Sequence, residues 1–152
     1  MRSRLAEKGD RVAQYFLGTL YSTGWWEDHN EAMKWYRKAA KQGCSSSMFS
    51  IGFRYERGEG VEYDLAEAVR WYKMAAEGGH AGAMRNLADI YADIPDYRSE
   101  LLAYMWYDIA SKYAESPLFA SKKRDEIARR MTPAQIKEAK QLVKGWERKH
   151  GI

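Results

Sequence analysis

Apolar and small residues recur along this chain on two rhythms, one helical and one much longer. Ala13, Leu17, Gly18 and Tyr21 fall on one side of an α-helix. The same face returns as Ser47, Ile51, Gly52 and Tyr55, and again as Ala83, Leu87, Ala88 and Tyr91. A second helical face follows each of these: Ala32, Trp35, Tyr36, Ala39, then Ala68, Trp71, Tyr72, Ala75, then Ala103, Trp106, Tyr107, Ala110. The strings from Lys34 to Ala40 and from Arg70 to Ala76 lie 36 residues apart, and a weaker copy from Met105 to Ser111 follows 35 residues later. Two patterns recurring together at one period indicate an internal repeat of two helices. Small residues let the helix backbones approach, and the rings fill the space beside them.

Punctuation agrees with this reading. Asp28, Asp64 and Ser99 each stand four residues before the repeated alanine, where a helix N-cap belongs. Glu31 and Glu67 complete a capping-box spacing in the first two units, and Gly43 and Gly79 mark helix ends. After residue 114 the repeat stops. Ser116-Pro117 opens one helix running towards Arg130, and Thr132-Pro133-Ala134-Gln135 opens another. That last helix carries Ile136, Ala139, Leu142, Val143 and Trp146 on one face and mostly charge on the other, as expected of a segment sealing an apolar face. The chain therefore reads as a single all-α domain over 1–152: repeat 1 at 9–43, repeat 2 at 44–79, repeat 3 at 80–114 and a C-terminal helical cap at 115–152. Eight helices and no strand are expected.

Composition narrows the class further. The chain is 45% hydrophobic and 30% charged, outside the disordered range, and holds 6 Trp and 11 Tyr. No apolar run approaches the length of a membrane span, and no apolar segment follows the basic N-terminus as a secretory signal would require. Cys44 is alone, so an intrachain disulfide framework is excluded and a reducing compartment is favoured. The expectation is a cytoplasmic protein, or a periplasmic or secreted one if a signal has been removed. Residues 1–44 carry a net +3, residues 45–79 and 80–114 carry −2 each, and residues 115–152 carry +5. Such a bias tunes partner choice rather than defining a class.

A period of about 36 residues with L-G-x-x-Y and A-x-x-W-Y-x-K-A-A strings resembles the Sel1-like repeat (SLR) family, relatives of the tetratricopeptide repeat. The resemblance covers about residues 9–114. It is closest in the second unit, where Gly58-Glu59-Gly60-Val61 precedes Asp64. The first unit departs, with Trp25-Trp26 in place of the glycine-rich loop, and the third departs further, with Ile94-Pro95-Asp96 and Ala88. The segment from Met131-Thr132-Pro133 to Trp146 resembles the closing helix found after such repeats.

The resemblance implies a right-handed α-solenoid that binds a protein partner through a concave face built from the first helix of each unit. On that reading the face is offered by Tyr15 and Thr19, by Phe49, Phe53 and Glu56, and by Arg85 and Asp89. Phe53 and Arg85 stand where the repeat itself demands only polar fillers. Glu56 and Asp89 would favour a partner segment carrying Lys or Arg.

Other chemistries find less support. The Trp/Tyr pairs recur at the repeat period, which marks core packing rather than a stacking platform. Gly58-x-Gly60 lacks the further glycine, the Lys-Ser/Thr and the preceding strand of a phosphate loop. His29, His80 and His150 are far apart in sequence, and with one Cys they suggest no metal site. No Ser is followed three residues later by Lys, so the hydrolase or β-lactam-related activity linked to some relatives lacks its nucleophile–base spacing. Lys122-Lys123-Arg124 and Arg129-Arg130 make the cap basic, yet Asp125, Glu126, Glu138 and Glu147 interleave with them as on a solvated face rather than a phosphate track. The reading is a non-enzymatic scaffold without cofactor or metal, whose partner is a protein rather than nucleic acid or membrane.

Overall fold

Helix starts show most directly how this sequence builds its elements. In the computed structural model, which describes residues 2–24, 27–114 and 117–152, the side chains of Asp28, Asp64 and Ser99 accept the backbone N–H groups of Glu31, Glu67 and Leu102. All three predicted caps form. The capping boxes of the first two units do not close, however. The backbone N–H that Glu31 or Glu67 would have taken is already donated to the last tyrosine of the preceding helix: Asp28 to the Tyr21 carbonyl at 2.7 Å and Asp64 to the Tyr55 carbonyl at 3.0 Å. Ser99 makes the same bond to Tyr91 at 2.8 Å. The cap thus ties the two helices of each hairpin together. Glu31 turns instead to the Trp35 indole N–H, and Glu67 to Arg70. At the last helix Thr132 and Gln135 do form a complete box.

Among the described residues there are nine α-helices and no strand: α1 (Arg2–Glu7), α2 (Arg11–Tyr21), α3 (His29–Lys41), α4 (Ser45–Arg57), α5 (Leu65–Glu77), α6 (Ala81–Asp93), α7 (Glu100–Tyr113), α8 (Pro117–Ala128) and α9 (Pro133–Lys149), with a 3-10 turn at Pro95–Tyr97. The sequence reading missed α1, which is too short to show periodicity and buries Ala6. The Gln14 amide donates to the Ala6 carbonyl and docks α1 on α2. Ser116 and the Trp25-Trp26 pair lie outside the described residues. Among the described residues no helix is long and apolar enough to cross a membrane.

The chain divides into two compact units, Met1–His80 and Ala81–Ile152. In the first, α2 with α3 and α4 with α5 form successive hairpins. Trp35 on α3 packs with Ala6, Ala13 and Leu17, while Trp71 on α5 packs against Ala32, Met33, Tyr36 and Ile51. The two rings hold equivalent positions, each reaching back to the helices before it. Gly18 and Gly52 explain why the repeat carries a glycine: a Cβ there would sit 2.7 Å and 2.8 Å from the rings of Tyr36 and Tyr72. Gly60 is needed twice over. Its φ is +75°, and a Cβ would come within 2.6 Å of the His29 carbonyl oxygen, because the second hairpin's loop lies on the start of α3.

In the second unit α7 is central, with every residue from Ala103 to Ala110 buried and α6, α8 and α9 all packed on it. Ala139, Val143 and Trp146 seal α9 against it, the Trp146 ring standing edge-on to Trp106 at 6.4 Å. Leu142, expected on that face, is 39% exposed. The one carboxylate within the α7 core, Asp108, takes a hydrogen-bonded ion pair from Arg124 of α8 at 2.8 Å.

Candidate functional site

Small first-helix residues that face the second helix leave a ring beside them, and the ring's hydroxyl must find an acceptor. The acceptors come from the positions expected to face a partner. Tyr36 Oη lies 3.3 Å from both Thr19 Oγ1 and Ser22 Oγ. Tyr72 Oη donates to Glu56 Oε2 at 2.5 Å, and Tyr107 Oη donates to Asp89 Oδ1. The sequence reading treated Thr19, Glu56 and Asp89 as outside internal packing, and this is corrected: all three anchor the second-helix tyrosine of their own hairpin. Burial lifts the Asp89 carboxyl above the usual carboxylate range, against the opposing pull of Tyr107, Lys123 and Arg85. Burial and the Asp89 bond together hold the Tyr107 phenol far above its ordinary value. Tyr15 is also partly committed, packed on the core cluster around Tyr36.

What remains on α4 is a ledge of rings. Phe49 lies 4.6 Å from the His80 ring in a stacked arrangement, 5.7 Å from Tyr72 and 6.3 Å from Phe53. The Arg57 guanidinium sits 4.6 Å over Phe53. Burial lowers the His80 pKa, so its imidazole favours the neutral form and serves the ledge as another apolar face. Phe49 and Phe53 are each half-buried. His80 and Arg57 were not singled out from the sequence. His80 follows the glycine that closes the second hairpin, and nothing in the helical period places a loop residue against α4.

Arg54 was also missed. It is 8% exposed, pairs with Glu59 and lies 3.4 Å from His29 Nδ1, while His29 Nε2 is 2.9 Å from Glu27. This polar chain joins the start of α3 to α4 and its following loop, so its role is structural.

In the second unit Arg85 and Asp89 occupy successive turns of α6. The Arg85 guanidinium lies 5.4 Å from the ring of Phe119 on α8, and Lys123 Nζ lies 5.7 Å from the same ring. Phe119 and its neighbour Leu118 are 46% and 73% exposed. They lie outside the repeated strings, and nothing in the helical period marks them as exposed. Packing of α8 through Ala120 and Ile127 leaves both of them on its outward side. Among the described residues no group of three or more His, Cys, Asp or Glu side chains is arranged to hold a metal ion.

The repeats and the fold resemble those of known proteins. The Sel1 repeat profile matches residues 11–44 and 45–80. Over 60 residues the chain is 40% identical to the DAP3-binding cell death enhancer 1 of Rattus norvegicus, and over 67 residues it is 34% identical to the chitin synthase regulator SKT5 of Saccharomyces cerevisiae. Those matches cover 40% and 41% of this chain but only 12% and 10% of the relatives. Among solved structures, c5321, a protective antigen of uropathogenic Escherichia coli displaying an SLR fold, superposes with a TM-score of 0.86 at 32% identity, over 97% of this chain and 32% of the antigen. A Sel1 repeat protein from Oxalobacter formigenes superposes at 0.67 and 32% identity, over 74% of this chain and 45% of that one. The all-α helical-repeat class, the paired strings around Gly18 and Gly52 and these likenesses agree: residues 11–80 are two Sel1 repeats, in a chain with the fold of Sel1-like repeat proteins.

Proposed function

We propose that this protein is a non-enzymatic interaction module whose first-unit surface, centred on Phe49 and Phe53, receives a segment of a partner protein. Sel1 repeat proteins generally mediate protein–protein interactions, and the two curated relatives are named for binding and for regulation. The observation that carries the reading is the ring ledge on α4. Phe49, Phe53 and His80 form a contiguous aromatic surface with Arg57 over it, in a repeat whose packing already closes around Tyr36 and Tyr72. Aromatic and arginine side chains of this kind dominate binding energy at protein interfaces, at about 2 kcal/mol or more each.

The test is capture from the native lysate by the wild type and by a Phe53→Ala, Arg57→Glu double variant. Neither side chain belongs to a buried cluster, so the helical circular-dichroism signal should be retained while the captured protein is lost. A double variant that captures the same protein with undiminished affinity removes the ledge from consideration.

A further inference from the structure

The outward side of α8 presents an apolar pair in a cationic frame, and the repeat core uses neither. From this we infer that the surface around Leu118 and Phe119, framed by Arg85, Lys122 and Lys123, docks an acidic protein segment carrying an apolar anchor. The inference rests on the interaction reading above but concerns a different surface, one lying wholly within the second unit.

Leu118 and Phe119 are 73% and 46% exposed, although α8 packs on α7 through Ala120 and Ile127. Adjacent large apolar groups left in water at one helix end form a surface that gains free energy when covered. Two of the three cations are held against the ring, and Lys122 follows on the exposed side of α8. Arg85 reaches from α6 to lie 5.4 Å over the Phe119 ring, and Lys123 lies 5.7 Å from that ring. Holding a charged group in place beforehand reduces the entropy lost when it binds a carboxylate. Among the described residues no carboxylate lies within ion-pair distance of Arg85 or Lys122. The nearby acid, Asp89, is engaged by the Tyr107 hydroxyl and its carboxyl is lifted by burial, which weakens it as a counter-charge. Complementarity therefore runs opposite to what Asp89 suggested in the sequence: this surface selects negative charge.

Two features favour a protein segment over other polyanions. Glu126 stands among the cations, 3.9 Å from Lys123, and would interrupt a track of phosphates. The outward apolar area amounts to two side chains, because the other side of α8 is buried, and that is less than an interfacial membrane helix offers.

The experiment measures fluorescence anisotropy of the full chain with a labelled short peptide of alternating acidic and Leu/Phe residues. Its counterpart with Lys in place of the acids, phosphatidylserine vesicles and a single-stranded oligonucleotide are tested in parallel. Saturable binding of the acidic peptide, weakening with salt, is expected. Phe119→Ala with Lys122→Glu should lower affinity at least about tenfold. Lys122→Glu alone, at an exposed position, supplies the charge test should the double variant fold poorly. Phe53→Ala should leave this affinity unchanged, which separates the present inference from the ledge on α4. Absence of saturable binding, equal binding of the Lys counterpart, full binding by the variants, or preference for vesicles or oligonucleotide would each overturn it.

Discussion

Gly52 leaves no room for a methyl group: a Cβ built there meets the Tyr72 ring at 2.8 Å and the Ala68 carbonyl oxygen at 3.2 Å. The ring is fully buried and its hydroxyl is held by Glu56, so it has little freedom to retreat. Gly52→Ala should therefore destabilise the protein by about 1–3 kcal/mol despite its better helix propensity. Chemical denaturation would show this as a lowered midpoint, and an unchanged or raised midpoint would refute the packing argument. His80 gives a pH dependence of definite sign. Its folded-state pKa is lowered by burial, so the unfolded chain binds more protons as pH falls through the ordinary imidazole range. Stability should drop as pH falls from that range down through the lowered value, and His80→Phe, which keeps the stack on Phe49, should flatten this part of the curve. Thermal denaturation across the window reads the difference; a wild-type curve already flat there would contradict it.

At the scale of elements, the hairpin cap and the closing helix decide how much of the repeat stays together. Each N-cap side chain satisfies its own helix, while its backbone N–H holds the final turn of the helix before it. Sequence spacing revealed the first bond and concealed the second, since the Tyr21, Tyr55 and Tyr91 carbonyls look like any other helix end. The α9 helix acts through packing. Val143 and Trp146 are buried in the second unit, and Trp146 meets Trp106, Tyr113 and His150. Removing residues 133–152 would bare the apolar side of α7, so aggregation or a clearly lowered Tm is expected by light scattering and thermal denaturation. Trp146→Ala should reproduce part of the loss, about 3 kcal/mol. A truncated chain with unchanged association state and Tm would show that α9 seals nothing.

For the whole molecule, net charge and composition said less than their distribution. The +4 total combines acidic middle segments with a C-terminal segment at +5, and α8 displays part of that positive charge beside exposed apolar groups. The fold class, the two-helix period and the starts of α3, α5 and α7 were legible, because positions in a repeat are written several times and each copy confirms the others. The interaction surfaces occur once each. Of the seven residues expected to face a partner, Thr19, Glu56 and Asp89 hold tyrosine hydroxyls and Tyr15 packs on the core. Phe49, Phe53 and Arg85 do meet further rings or cations, but those companions, His80, Arg57 and Phe119, lie outside the repeated strings.

Periodicity establishes the repeated helices, their pairing into hairpins and the demand for small residues beside the rings, because these patterns recur along the chain; that glycine itself is needed at positions 18 and 52 shows only once the opposing rings are in place. It also marks Thr132 and Gln135 as a capping box, a bond between neighbours in sequence. The assignment of polar side chains is different. Whether Glu56 faces a partner or accepts the Tyr72 hydroxyl depends on which helix lies opposite, and α5 brings that donor from 16 residues away. Whether Phe119 belongs to the core or to the surface depends on how α8 rotates against α7, and the burial of Ala120 and Ile127 together with the Arg124–Asp108 pair turns Phe119 outward. Local physics writes the elements into the chain; hydrogen-bond partners and exposed faces are properties of pairs of elements, and they exist only once those elements have packed.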